Sequence, residues 1–253
     1  MRTKDVNINQ MATAIMWWLS YTSAVGRNYV LSEGAIKFPL SEYLETSNIE
    51  NLILEYGHPK LSRKRVDLFY QEKQKDSTTE NFAFEFKYIK NGSTRTPDEK
   101  QRVFNDLMRL HYFNQDKQKG YFLICGGQND FVSNFQRIKS TPKKVNGKLT
   151  LDTTTKDTEP DKIVAQGFYT RWFSFDNKNK DVEIDLNTLD DDYKDIYALF
   201  FSEYAEPYKT KVKTDIPKPD KIKTRLVFLS GDIEQPTKLF QPSKIGIWEV
   251  ISV

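Results

Sequence analysis

The sequence predicts an α/β fold, a central mixed β-sheet flanked by helices with a C-terminal α+β elaboration. Three stretches predict it. Between Arg63 and Lys90 the residues alternate as two strands would. Val66, Leu68 and Tyr70 stand against Asp67 and Phe69, then Phe82, Phe84, Phe86 and Tyr88 against Ala83, Glu85, Lys87 and Ile89. Thr96-Pro97-Asp98-Glu99 joins a cap residue, a proline at the first helical position and a glutamate three after the cap, which starts a helix. Tyr121-Phe122-Leu123-Ile124-Cys125 is an unbroken apolar run of the kind found in strands buried on both faces. Strand, helix and strand in that order predict a right-handed βαβ crossover.

The length of 253 residues suffices for a sizeable core, read as one domain over 1–253. Its motif region covers about 30–127, a polar surface insertion 139–162 and the C-terminal elaboration 163–253. A hydrophobic share of 38% with 17 Phe and 13 Tyr excludes a disordered chain. The 38 basic and 35 acidic residues nearly balance, which permits a nucleic-acid partner without arguing for one. Cys125 is the only cysteine, so neither an internal disulfide nor a cysteine zinc site can form. With only His58 and His111, a structural zinc site and a Ser-His-Asp triad are both disfavoured. Any metal would be held by oxygen, which favours magnesium, manganese or calcium. The apolar run Met11–Leu19 is too short to span a bilayer and has no small-residue cleavage site. The expectation is a soluble, cytoplasmic protein with no membrane partner.

The elements follow in order. Met11, Ala14, Ile15, Trp18 and Leu19 recur at helical spacing, with Gly26 as the stop. Ser32 is placed to cap a second helix carrying Glu33, Ile36, Leu40 and Leu44, and Pro39 allows this to be two short helices broken before Phe38. Leu52–Leu54 reads as a strand running into a turn, Tyr56-Gly57-His58-Pro59, where His58 is a loop residue with a satisfied hydrogen bond. Arg63, Lys64 and Arg65 are either a solvated lead-in to the next strand or contacts to phosphate. The capped helix carries Val103, Leu107 and Leu110 on one stripe. Gln101 and Asn105 lie four apart on it, as do Arg102 and Asp106. A helix over Asp130–Ile138 follows, then a hairpin turning at Asn146-Gly147. Strands are expected near Gly167–Phe175 and Val182–Leu186, and a helix opened by Asp190, Asp191 and Asp192. Lys209–Lys223 is a basic connection to two last strands, Arg225–Ser230 and Ile245–Ser252.

Period two puts Glu85 and Lys87 on the same face, and pairing of the two strands would bring Asp67 to them. Two acids and a lysine there suit a hard divalent cation and an activated water. Asp67 followed by Glu85-Phe86-Lys87, then a helix and an apolar strand, resembles the PD-(D/E)XK nuclease superfamily over roughly Glu33–Gly127. The residue before Asp67 is Val66 where the family's name has proline. The resemblance implies a restriction-endonuclease-like core and a deoxyribonuclease that uses Mg2+, with Mn2+ as substitute. Asp67 and Glu85 would be metal ligands, Phe86 would offer its carbonyl, and Lys87 would be the catalytic lysine. An upstream helix glutamate is expected at Glu33, with Glu42 and Glu45 behind it, and a supporting polar residue at Gln101. It further implies DNA as substrate, a role in restriction or anti-phage defence, and control by a homodimer or a partner protein that targets or activates cleavage. Two other readings stand beside it. One is a catalytically inactive nucleic-acid-binding or assembly protein of the same fold; the other is an unrelated α/β protein in which Glu85 and Lys87 are a sheet-surface pair.

Overall fold

Asn7 opens the first helix, its side chain accepting from the Gln10 amide at 3.1 Å, and α1 runs Ile8–Ala24. Gly26, at φ 77°, takes the left-handed turn that follows it. α2 covers Glu33–Glu45 as a single helix with Pro39 inside it. The break offered by Pro39 does not occur. An interior proline costs about 3 kcal/mol of helix stability, and burial of Ile36, Leu40 and Leu44 in the core offsets that loss. Ser32 sits at the cap position, yet its hydroxyl makes no cap bond.

The computed structural model describes residues 5–47, 49–61, 63–74, 76–89, 97–114, 118–135, 138–139, 141–145, 148–152, 164–165, 168–175, 177–189, 191–205, 216–234, 240 and 242–252. Within them the strands are β1 Ile49–Gly57, β2 Arg65–Lys73, β3 Thr79–Ile89, β4 Gln118–Gly127, β5 Ile138–Lys139, β6 Thr141–Val145, β7 Lys148–Asp152, β8 Val164–Ala165, β9 Asp181–Asp185, β10 Lys221–Leu229 and β11 Ser243–Ile251. The remaining helices are α3 Pro97–Phe113, α4 Gln128–Phe135 and α5 Asp191–Ala205. Thr96, the expected cap of α3, lies outside the described residues, as do Asn146 and Gly147. Val145 pairs with Lys148 across those two, in the hairpin β6–β7.

One mixed sheet of seven strands, in the order β1-β2-β3-β4-β11-β10-β9, forms the centre. Only β3 and β4 are parallel, joined by α3 as the expected βαβ unit, and every other neighbour is antiparallel. Alternation along the strands feeds two cores. Phe82, Phe84, Phe86, Leu123, Cys125 and Ile247 face α1 and α2. Ala83, Ile89, Phe122, Ile124, Trp248 and Val250 face the core built by α3, α4 and α5. The molecule is thus an α/β structure with helices on both faces of a mixed sheet, and no helix is long and apolar enough to cross a membrane. β4 and β11 lie at the centre of the sheet, and both are buried along almost their whole length.

One expected strand is absent from the described part of its range. Within Gly167–Phe175, Phe168–Arg171 form a 3-10 turn. Tyr169, Trp172 and Phe173 are all buried, a spacing of three and four that suits a helical turn, although aromatic residues favour strands. α4 likewise stops at Phe135, and Ile138 belongs to β5.

Candidate active site

β2 and β3 pair from Lys73↔Thr79 to Leu68↔Phe84, where the ladder ends. Beyond that point β2 stays with β1 through Tyr56↔Val66 and Gly57↔Arg65. β3 continues on β4 alone, from Glu85↔Phe122 to Ile89↔Gly126. The strands part at Asp67. Val66 and Leu68, two residues apart, pack into opposite cores, so β2 turns over between them. β1 turns with it at Glu55, a non-glycine residue at φ 52° lying between the pairs Leu54↔Leu68 and Tyr56↔Val66. The Phe86 amide, past the end of the ladder, donates to Asp67 Oδ2 at 2.9 Å. A strand residue's N–H and C=O point to the same side, so the Phe86 carbonyl faces the same gap.

Glu85 and Lys87 project onto the α3 face, otherwise apolar, and are 1% and 7% exposed. α3 supplies their partners. Arg109 Nε donates to Glu85 Oε1 at 2.6 Å, and its Nη2 donates to Asp106. Lys87 Nζ lies 3.1 Å from Asp106 Oδ2 and 3.3 Å from Glu33 Oε2 at the start of α2. Lys37, one turn further along α2, reaches Asp67 Oδ1 at 3.4 Å and pairs with Glu55. These groups surround a cleft of about 520 Å³ lined by Glu33, Asp67, Glu85, Glu99 and Asp106 with Lys87, Arg102, Asn105 and Arg109. Its lining thus carries five carboxyl groups against the three cationic side chains Lys87, Arg102 and Arg109.

Burial shifts the charges. It raises the Glu85 carboxyl well above its usual value, and neighbouring Asp106 adds to this against the opposing pull of Arg109. Burial also raises Glu33, with Asp67 and Asp106 pushing the same way and Lys87 against. For Lys87, burial disfavours the ammonium, but Asp106, Glu33 and Glu99 outweigh it and the value rises. The lysine is therefore held charged.

Of the residues singled out from the sequence, Asp67, Glu85, Lys87 and Glu33 share this cleft, with the Phe86 backbone at its edge. Glu42 and Glu45 are exposed further along α2 and do not line it. Gln101 does not line it either. The α3 positions that do are Glu99, Arg102, Asn105, Asp106 and Arg109, one polar stripe at helical spacing. Asp106 and Arg109 were not foreseen as site residues. Their signal was the periodicity itself, polar groups recurring along one flank of the Val103, Leu107 and Leu110 stripe. His58 is buried and structural: Nδ1 accepts from the Lys60 and Leu61 amides at 3.1 and 2.9 Å. Nε2 therefore carries the proton and donates to the Arg109 carbonyl at 2.8 Å. Burial also raises the Cys125 thiol, which leaves it inert.

The candidate ligands Asp67, Glu85 and the Phe86 carbonyl all offer oxygen. Among the described residues no group of three or more His, Cys, Asp or Glu side chains is set to hold a metal. Two carboxylates and a carbonyl would suit a magnesium ion that keeps several waters, since it seldom takes an all-protein cage. Asn105 Oδ1 is a further buried acceptor lacking a hydrogen-bond partner among the described residues. The set fits a hard, hydrated cation. Comparison with models of known protein families, with curated proteins and with solved structures gives no match.

Proposed function

We propose that this protein is a magnesium-dependent endonuclease that hydrolyses DNA phosphodiester bonds on a restriction-endonuclease-like core of PD-(D/E)XK type, with manganese able to replace magnesium. The observation that carries the reading is the parting of β2 from β3 at Asp67, which leaves Asp67, Glu85 and Lys87 around one carboxyl-rich cleft. Asp67, Glu85 and the Phe86 carbonyl would hold the ion. When bound, it supplies Lewis acidity at phosphorus and lowers the pKa of water.

Lys87 stays protonated, so its part is electrostatic: its ammonium stabilises the attacking oxygen and the extra charge on the phosphoryl group. Glu33, raised by burial and 43% exposed at its side chain, is suited to take a proton from the water. Asp106 and Arg109 hold Lys87 and Glu85 in place. Restriction or anti-phage defence in the cytoplasm is the setting we infer, with dimerisation or a partner protein controlling the cut.

A second reading, a catalytically inactive nucleic-acid-binding or assembly protein, is favoured by the Arg109–Glu85 pair, which already neutralises a proposed ligand. Incubation of supercoiled and linear DNA with and without magnesium or manganese separates the two. Nuclease function requires metal-dependent cleavage by wild type and none by Glu85→Ala. No heat of magnesium binding, together with DNA affinity that survives a chelator, would establish the inactive reading instead.

A further inference from the structure

We infer that the loop between β1 and β2 is a rigid clamp for the phosphate backbone of double-stranded nucleic acid. The inference rests on the proposed function for its choice of partner. Lys60, Arg63 and Arg65 are exposed, and none has an ion-pair partner among the described residues. Beside the cleft, by contrast, Lys37, Lys87 and Arg109 are each held by carboxylates.

The loop's backbone is tied inward. The His58 amide donates to the Lys64 carbonyl at 2.8 Å, and the Lys64 amide to the Leu61 carbonyl at 3.1 Å. His58 Nδ1 takes the Lys60 and Leu61 amides, and Leu61 is buried in the α3-side core. His58 Nε2 then anchors the loop to the carbonyl of Arg109, on the helical turn that carries Arg109 and Asp106 into the cleft. Arg63 is held at φ 60°, a left-handed conformation that this bonding maintains. The main-chain groups of His58, Lys60, Leu61 and Lys64 are thus bonded within the protein, while the side chains of Lys60, Arg63 and Arg65 are exposed. Two residues after Arg65 comes Asp67.

Exposed cations without ion-pair partners among the described residues, close in sequence to Asp67 of the cleft, suit phosphates flanking the bond over it. Such contacts fix position and carry no sequence information. The loop exposes no aromatic ring, and Tyr56 at its base is stacked on Phe69 at 4.1 Å. The loop itself thus offers no ring on which unpaired bases could stack, which favours a duplex backbone over a single strand.

The test is fluorescence anisotropy with a short labelled DNA duplex in chelator over a salt series, comparing wild type with Lys60→Ala/Arg63→Ala/Arg65→Ala. The slope of log affinity against log salt should shrink by about 3, one unit for each lost phosphate contact. Equal thermal midpoints for the two proteins would verify that the loop still folds, and Arg63→Ala alone gives a milder version with a loss of about 1. An unchanged slope overturns the clamp. So does tighter binding of single-stranded DNA than duplex, or triple-variant loss of binding to anionic vesicles without any duplex binding by wild type. Glu85→Gln separates the two proposals, since it should stop cleavage and leave the slope intact. A protein that binds through the loop but never cleaves sinks the nuclease reading alone, and one that cleaves with an unaltered slope in the triple variant sinks the clamp alone.

Discussion

The Phe86 amide donates to Asp67 Oδ2 at 2.9 Å across a gap where the ladder between their strands has already ended. A side chain has replaced a backbone carbonyl as the acceptor. The exchange satisfies a buried amide while leaving a carboxylate beside the Glu85 strand, and it sets separate tests for the two roles of Asp67.

Asp67→Asn keeps an acceptor for Phe86, whereas Asp67→Ala leaves that amide without one. Both should abolish magnesium-dependent cleavage of supercoiled DNA. Only the alanine variant should also lose about 1–3 kcal/mol of stability in urea. Equal stability of the two would show that the hydrogen bond is not structural. Lys87→Ala should also abolish cleavage with the fold intact, and metal-dependent cleavage surviving in that folded variant would exclude the electrostatic role given to the lysine.

Asp106 holds both Lys87 and Arg109 with 6% of its side chain exposed. Removing one member of a buried ion cluster leaves uncompensated charge, which typically costs about 3–5 kcal/mol. Asp106→Ala should therefore be among the most destabilising single changes at the cleft, and denaturant unfolding measures it. A loss within about 0.5 kcal/mol, typical of surface sites, would mean that Lys87 and Arg109 find other partners at once.

Lys37 shares Asp67 with any cation that binds there, at 3.4 Å from Oδ1. Lys37→Met removes that competitor, so magnesium should bind up to about fivefold more tightly, the scale of a partly exposed ion pair. Titration calorimetry reads the change directly. Weaker binding would assign Lys37 to holding Asp67 in its ligating position.

Burial lowers His58 to about 4 from 6.5. Between those values the unfolded chain binds a proton that the folded protein refuses, so this contribution is complete above pH 6.5 and is lost as pH falls towards 4. It amounts to about 3 kcal/mol. Glu33 and Glu85, both raised, act in the opposite sense, and His111, also lowered by burial to about 4, acts in the same one, so wild type alone does not isolate His58. The measurement is thus a difference: unfolding free energy of wild type minus His58→Gln should fall as pH drops from 7 towards 4. A constant difference across that range would mean that His58 takes up its proton without unfolding cost.

The βαβ unit was legible because three strong local signals agreed, the alternation of β3, the Thr96-Pro97 start and the apolar run of β4. The gathering of Asp67 with Glu85 followed from that topology once β2 was taken as the neighbour of β3. Asp106 and Arg109 were harder to see. On a helix sequence a polar stripe has the same pattern whether it faces water or a buried cleft, and only the partner surface decides. Gln101 shows the converse, a polar residue on the same helix that falls beside the stripe and not on it. The turn-over at Asp67 left no trace, since Val66 and Leu68 read as one face of a regular strand while they fill opposite cores. Around Tyr169, Trp172 and Phe173 aromatic content pointed to a strand, and packing against a core shared with Phe135 and Trp248 made it a turn.

The place of β11 between β4 and β10 bears on synthesis. A ribosome delivers β3, α3 and β4 long before residues 243–251 emerge, and until then β4 offers an open edge lined by residues destined for both cores. Cleft residues borne on β3 thus rest on a half-built sheet for most of translation. Should the protein cut DNA, that order would keep a nascent chain harmless, because the strand that locks the scaffold arrives after every residue of the cleft has been made.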